Sequence, residues 1–263
     1  MRKSWFKKIY VFLSSILIFV LHLPFVFAKT RPGHELKPAM PRIVSAMPGD
    51  SSTLITSKLN PGHTISSIYD SLRLNLMGLS QQAFEYAMKG FNYLLQTGKV
   101  TNDKVISIVD FSQPSSKKRL FVIDLDDYKV VFNTYVAHGV NSGRASADQF
   151  SNTAESNKSS LGFYETLNTY TGHNGYSLRL EGLESGINDN ANSRAIVMHG
   201  AAYVDESLIQ SQGYIGRSWG CPAVPEKLHK PIIDKIKNGT CLFIYSPDKR
   251  YLDHSRILHP AGT

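Results

Sequence analysis

From Val105 onward, the chain consists mainly of short apolar runs separated by turn-forming residues, a pattern typical of β-strands. Residues 105–109 are predicted to form one strand. Residues 120–123 and 129–136 are predicted to form a hairpin, because a short acidic segment lies between them. Shorter strands are predicted at residues 176–180, 195–198 and 240–245. The pattern therefore restricts this part of the chain to a mainly β fold.

Two other regions have apolar residues at helical spacing. Residues 63–98 are predicted to be a short helical extension of two helices, with Ser80 as the N-cap of the second and Gly98 at its end. Residues 225–239 are predicted to form a helix that follows Cys221. The predicted fold class is mainly β, sandwich- or barrel-like, with one helix after the cysteine and a helical N-terminal extension.

The first 28 residues have the organisation of a secretory signal peptide. Four cations precede an apolar run over residues 9–27, Pro24 interrupts it, and Ala28 offers a small residue for cleavage. We therefore expect a protein exported across the cytoplasmic membrane to the periplasm or cell envelope. An uncleaved anchor is the alternative, in which case this segment makes the only membrane contact. Residues 29–62 are rich in Pro, Ser and Thr and are predicted to be a flexible linker.

Charge and histidine spacing restrict the partners that we expect. The formal net charge of +8 falls to about +4 without the four leader cations, which suits an anionic cell envelope. No block of lysine and arginine interleaved with aromatic residues predicts a nucleic-acid surface. His138, His173 and His199 do not have the short spacings of zinc ligands. We expect no nucleic acid, no metal and no organic cofactor.

The segment GRSWGCPAVP, residues 216–225, contains Cys221, and the segment RAIVMHG ends a predicted strand 22 positions earlier at His199. A cysteine and a histidine that meet in space supply a nucleophile and its base. A disulfide between Cys221 and Cys241 is the alternative in an oxidising compartment. Cys241, however, lies in TCLFIY, which is typical of a buried strand. We therefore predict Cys221 as the nucleophile and His199 as the base.

The residues around Cys221 restrict how an oxyanion is bound. Gly220 permits close approach of another backbone or of a substrate. Pro222 disfavours the α-helical conformation for Cys221 and has no N–H group to donate. Oxyanion donors must therefore come from the backbone N–H groups of Trp219, Gly220 or Cys221.

Ordered motifs in this chain resemble a known family. HGAAYV and then SWGC precede a predicted helix and a final apolar strand, and AHGVNSG, FSN, SSLGFYET, GHNGYSLRL and RAIVMHGA occur upstream. This series resembles the L,D-transpeptidase catalytic domain (YkuD-type), in the variant branch with HGA…GRSWGCP, over roughly residues 100–247. The resemblance identifies residues 99–263 as the expected catalytic domain of a murein L,D-transpeptidase.

The resemblance implies a reaction on peptidoglycan stem peptides. Cys221 would attack the L,D bond before a terminal D-alanine, release D-alanine, and pass the acyl group to an amine in cell-wall cross-linking or remodelling. Hydrolysis of the same bond, by an L,D-carboxypeptidase, remains an alternative. A third possibility is a non-catalytic wall-binding domain that contains a Cys221–Cys241 disulfide.

Further residues are expected at the substrate cleft on the same resemblance or on their positions in the motifs. They are Gly200, Ser218, Arg217, Ser160, Tyr164 and His138. Arg217 is suited to a substrate carboxylate, with a solvated surface arginine as the alternative. Trp219 stands where the family more often has histidine, and Ala223 where it has asparagine or arginine, so the family roles of those two side chains do not transfer. Stacking of Trp219 on the substrate is a hypothesis.

Overall fold

A computed structural model of the protein describes residues 64–260. The predicted signal peptide and linker lie outside the described residues. The helices are α1 (Ile65–Ser71), α2 (Leu74–Met77), α3 (Gln81–Gln96), α4 (Glu206–Gln212), α5 (Glu226–Ile236) and α6 (Lys249–His254). The strands are β1 (Val105–Asp110), β2 (Leu120–Asp124), β3 (Lys129–Thr134), β4 (Gly162–Gly172), β5 (Gly175–Gly182), β6 (Val197–Ala201), β7 (Ala223–Pro225) and β8 (Cys241–Tyr245).

The eight strands form one sheet in the order β3-β2-β1-β8-β4-β5-β6-β7. Only the β1–β8 and β6–β7 pairs are parallel. The chain leaves β3 at one edge and reaches β7 at the other edge within three residues, where the N–H of Ala137 donates to the carbonyl of Ala223 at 2.8 Å. The two edges therefore lie close together, and the sheet is barrel-like. The predicted mainly β fold, with α5 after Cys221, is confirmed.

The N-terminal helices share the hydrophobic core of the sheet. The side chain of Ser80 caps α3, as predicted, by accepting a hydrogen bond from the N–H of Ala83. The buried face of α3 includes Phe84, Met88 and Phe91, which belong to the same apolar cluster as the central strands. The helical segment is therefore packed on the sheet rather than separated from it.

Two elements of the fold carry little sequence signal. Strand β4 is buried in its first half and largely exposed at its end, so its sequence lacks a continuous apolar run. Helix α4 has no buried residue, and only the Asp205 side chain, which caps it by accepting from the N–H of Ser207, marks its beginning. In residues 64–260, none of the helices combines the length and apolar character needed to span a membrane.

The closest contact between α3 and the sheet lies at Gly90. A Cβ atom at this position would come within 2.0 Å of the ring carbon Cζ of Phe163 on β4. Phe163 has no room to retreat, because it is fully buried and stacks on Phe243 with ring centroids 4.2 Å apart. Gly90 is therefore required by packing, although glycine weakens a helix.

We predict that Gly90→Ala lowers the free energy of unfolding by about 1–3 kcal/mol, the usual cost of overpacking a core. This loss is opposite in sign to the gain of about 1 kcal/mol that replacing glycine by alanine usually brings in a helix interior. Urea denaturation measures the change. Lys89→Ala, on the exposed face of the same turn, serves as the control and should stay within about 0.5 kcal/mol of the parent protein. A more stable Gly90→Ala protein would show that this contact is not tight.

Candidate active site

The site lies at the edge of the sheet, where β6 and β7 run parallel. The register aligns His199 with Ala223, which is two residues beyond Cys221. Strand spacing and rise per residue then give roughly 8 Å between the Cα atoms of Cys221 and His199. An extended segment projects residues two apart toward the same face. The fold therefore brings together the two residues that the sequence predicts as nucleophile and base.

A backbone contact fixes the proton on His199. The Nδ1 atom lies 3.0 Å from the carbonyl oxygen of Gly200, and a carbonyl oxygen only accepts hydrogen bonds. Nδ1 therefore carries the proton, and Nε2 of the neutral ring is left as the acceptor. Burial lowers the pKa of His199, and repulsion from His229 lowers it further. The ring is thus neutral near pH 7 and suited to accept a proton.

The thiol of Cys221 lies against the beginning of β6. Its Sγ atom is 3.5 Å from the backbone nitrogen of Val197, which donates to it, and 3.8 Å from the carbonyl oxygen of Ala195. Burial raises the pKa of Cys221, whereas the Val197 N–H and the charge of Arg194 lower it. Burial raises the pKa of the thiol and lowers that of His199, so the neutral form of each group is favoured near pH 7.

The strand order is incompatible with a disulfide between the two cysteines. Cys241 is fully buried on β8, and Cys221 lies beside β6. Strands β4 and β5 separate β8 from β6, which places the two residues roughly 10 Å or more apart. A disulfide requires Cα atoms within about 7 Å. Both cysteines are free, so the alternative that joins them is not supported.

The segment before Cys221 is held against a neighbouring loop. Gly220 has φ +121°, and a Cβ atom there would lie 2.9 Å from the carbonyl oxygen of Lys158. The hydroxyl of Ser159 donates to the carbonyl of Gly220 at 3.1 Å, and the hydroxyl of Ser218 donates to the carbonyl of Cys221 at 2.6 Å. These contacts explain the need for glycine and fix the backbone that carries the thiol.

The three predicted oxyanion donors are not equivalent. The N–H of Gly220 donates to the hydroxyl oxygen of Ser218 at 3.1 Å. Within residues 64–260, the N–H groups of Trp219 and Cys221 have no such acceptor. Trp219 and Cys221 are therefore the two backbone donors that are free to bind an oxyanion.

The other predicted cleft residues are mainly engaged with the protein itself. The buried hydroxyls of Ser160 and Tyr164 bond to each other at 2.8 Å. Arg217 donates to the carbonyl of Gly143 at 3.2 Å, which is a structural contact with the loop. Gly200 lies under the ring of His229, and a Cβ atom on it would come within 2.7 Å of that ring.

His138 is buried beside the guanidinium of Arg119 and supports the cysteine segment through its backbone. Its carbonyl accepts from the N–H of Ser218 at 2.9 Å, so its backbone supports the cysteine segment. Its Nδ1 atom accepts from the guanidinium of Arg119 at 2.7 Å, and its Nε2–H donates to the carbonyl of Gly143 at 3.2 Å. Burial, together with the charge of Arg119, lowers the pKa of His138 from 6.5 to about 4.

Three residues near the site were not assigned a role from the sequence. Arg194 and Tyr203 interact electrostatically with Cys221, and burial together with that interaction raises the pKa of Tyr203 to about 12. His229 reaches β6 from α5 and lies against Gly200. Arg194 and Tyr203 directly flank the segment AIVMHGAA, and that adjacency is the signal that was available for them in the sequence.

Comparison with known proteins identifies the family of the chain. The profile of the L,D-transpeptidase catalytic domain matches residues 76–245, which is well over half of the chain. The chain belongs to the L,D-transpeptidase catalytic domain family. No curated protein sequence matches it. The family match begins within α2, so it includes α3 as well as the whole sheet.

Several solved L,D-transpeptidases are similar to this family member. That from Mycobacterium smegmatis is 13% identical, with a TM-score of 0.35, and the match covers 54% of this chain and 59% of that one. L,D-transpeptidase 3 from Mycobacterium tuberculosis is 12% identical, with a TM-score of 0.32 and coverage of 54% and 61%. That from Xylanimonas cellulosilytica is 15% identical, with a TM-score of 0.31 and coverage of 64% and 81%. The chain spans about three fifths of the length of the mycobacterial enzymes.

The buried His138 predicts an acid-sensitive fold. Its folded pKa of about 4 lies below its ordinary value of 6.5, so the unfolded chain binds the proton more readily. The stabilisation is present above pH 6.5 and is lost as the pH falls toward 4, by about 3 kcal/mol in total. Urea denaturation between pH 7 and pH 4 measures the loss. His138→Gln removes the titrating group and should show a correspondingly shallower pH dependence; parallel curves for the two proteins would contradict the assignment.

Proposed function

We propose that this protein is a cysteine-dependent L,D-transpeptidase that acts on peptidoglycan stem peptides in the cell envelope. The observation that carries the proposal is the alignment of His199, with Nε2 available, beside the segment that presents the Cys221 thiol. Membership of the family supports the reaction class. The signal peptide predicted at residues 1–28 supports the location.

The proposed reaction begins from the neutral pair. Nε2 of His199 takes the thiol proton while Sγ of Cys221 attacks the carbonyl carbon of the L,D bond. The developing oxyanion accepts hydrogen bonds from the N–H groups of Trp219 and Cys221. The imidazolium then gives its proton to the departing amine of D-alanine, which leaves a thioester on Cys221. An acceptor amine attacks the thioester, and the thiol is restored.

Water in place of the amine would give the carboxypeptidase reaction through the same thioester. The two outcomes differ only in which nucleophile reaches the acyl group in the second step. The products of one experiment therefore distinguish the two reactions, whereas the residues that act in the first step do not.

We expect incubation with a stem tetrapeptide to add one acyl group to the protein and to release D-alanine. Intact-protein mass spectrometry should locate the adduct on Cys221, and Cys221→Ala should lack it. His199→Gln should lower the acylation rate by about 10²- to 10⁴-fold, the range for loss of a general base. Cys241→Ala is the matched control and should acylate normally, because Cys241 is buried on β8.

Cross-linked peptide among the products would support transpeptidation, whereas tripeptide alone would establish hydrolysis. An adduct on neither cysteine, from a folded protein, would overturn the proposed function.

Trp219 is the most exposed large apolar side chain among the described residues, at 81% exposure, and it lies two residues before the nucleophile. An exposed aromatic face next to a reactive group offers a platform on which substrate stacks. We therefore propose that Trp219 contributes to substrate binding through its side chain, in addition to its backbone N–H.

We expect Trp219→Ala to raise KM about fivefold, corresponding to about 1 kcal/mol of stacking, with a smaller change in kcat. Trp219→Phe keeps an aromatic face and should recover most of the loss. Steady-state kinetics on the tetrapeptide separates KM from kcat. An equal fall in kcat for both variants, with KM unchanged, would instead assign the effect to the backbone donor.

A further inference from the structure

The guanidinium of Arg194 is fixed in one position by the loop beside the nucleophile. Its two terminal nitrogens donate to the carbonyls of Ser151 and Lys158, both at 2.8 Å, and to the hydroxyls of Ser156 at 3.2 Å and Ser160 at 3.4 Å. Four of its five N–H groups are therefore committed to neutral acceptors. The side chain cannot turn to clamp a substrate carboxylate without breaking these bonds.

The charge of Arg194 is not neutralised by its neighbours. It is half-buried, and within residues 64–260 no carboxylate lies within ion-pair distance of it. The ionisable groups with which it interacts are Tyr164 and Cys221. A half-buried cation without a counterion costs stability, which points to a role for the charge itself.

Two contacts connect Arg194 to the segment that carries the thiol. The next residue, Ala195, has the left-handed φ of +55° and directs its carbonyl toward Sγ of Cys221 at 3.8 Å. The carbonyl of Lys158, which Arg194 binds, is also the atom against which Gly220 lies. The same loop thus connects the guanidinium to the backbone of the nucleophile. The unfavourable φ of Ala195 occurs where its carbonyl meets the thiol, and strained backbone of this kind is typical of functional sites.

We infer that Arg194 is a positioning residue whose fixed positive charge stabilises the Cys221 thiolate without contacting the substrate. This rests on the proposed function only in taking Cys221 as the nucleophile. A preorganised charge in a partly dry site stabilises the thiolate without the reorganisation that water would need. It compensates for the burial of the thiol, which favours the neutral form.

The other ionisable groups near the thiol differ from Arg194 in their charge or in their contacts. His199 on β6 is the base, with His229 of α5 behind it. Tyr203, in the turn after β6, is neutral over the working range because its pKa is raised to about 12. The ammonium of Lys158 donates to Gln149 at 2.9 Å. Of the two permanent cations in this set, Arg194 is the one that is fixed by four hydrogen bonds and that interacts electrostatically with Cys221.

The test measures the alkylation rate of Cys221 with iodoacetamide as a function of pH, in the full chain, for Arg194→Gln and Arg194→Lys. We expect Arg194→Gln to lower the rate at pH 7 roughly tenfold and to move the midpoint of the profile to higher pH. Arg194→Lys retains a charge and should keep most of the rate, although it loses hydrogen bonds and stability. Arg250→Gln, which removes an exposed arginine paired with Asp248, controls for net charge.

A second pair of variants avoids the risk that Arg194→Gln does not fold. Ser156→Glu places a carboxylate at a hydroxyl that Arg194 already contacts, and Ser156→Gln is its uncharged match. Ser156→Glu should lower the alkylation rate and raise the midpoint, and Ser156→Gln should not. Thermal denaturation reports the structural contribution of each variant separately.

The inference is overturned if the midpoint moves equally in Arg194→Gln and Arg194→Lys, or if Ser156→Glu and Ser156→Gln have the same profile. Either result would make Arg194 a structural clamp of the loop. Alkylation does not need peptidoglycan. A shifted midpoint in a protein that does not process stem peptide would therefore refute the proposed function and leave the role of Arg194 intact.

Discussion

The contact between Gly220 and the carbonyl of Lys158 is the constraint on which the site depends. It brings the backbone before Cys221 directly against the polar loop that runs between β3 and β4. A side chain at position 220 would separate the two segments, and its positive φ also favours glycine. With the segments in contact, Ser159 binds the carbonyl of Gly220 and Arg194 binds the carbonyl of Lys158. The loop therefore positions both the backbone that carries the thiol and the guanidinium of Arg194.

Closure of the sheet is what makes this contact possible. The loop begins just after β3, at one edge, whereas Cys221 precedes β7, at the other. The hydrogen bond from Ala137 to Ala223 and the bond from Ser218 to the carbonyl of His138 join these edges. The segment that carries Cys221 lies where these edges meet and is contacted from both sides. The candidate site therefore lies beside an edge strand of only three residues, β7.

Sequence patterns predict β1, β2, β3 and β8 well, because short apolar runs bounded by turn residues are typical of strands. They also predict the capped start of α3 at Ser80. They do not predict β4 or α4, whose burial is partial or absent. Local sequence predicts the motifs of Cys221 and His199, but not the place of Arg194, which depends on carbonyl groups 36 to 43 residues away in the chain. Backbone acceptors have no residue-type signature, so an arginine that binds them has the sequence appearance of a surface arginine.

Burial favours the neutral form of the ionisable groups around the site. Burial lowers the pKa of His138 and His199 and raises that of Cys221 and Tyr203, so the neutral form of each is favoured at rest. Arg119 keeps its charge by binding the carbonyls of Val136 and Gln113, even though burial lowers its pKa to about 9. A neutral thiol is less open to oxidation than a thiolate, since the thiolate is the reactive species. Substrate that covers the exposed face of Trp219 would exclude further water and strengthen the field of any fixed charge nearby. If the proposed function holds, substrate bound over Trp219 would make the charge of Arg194 more effective in stabilising the thiolate and so offset the effect of burial on the thiol.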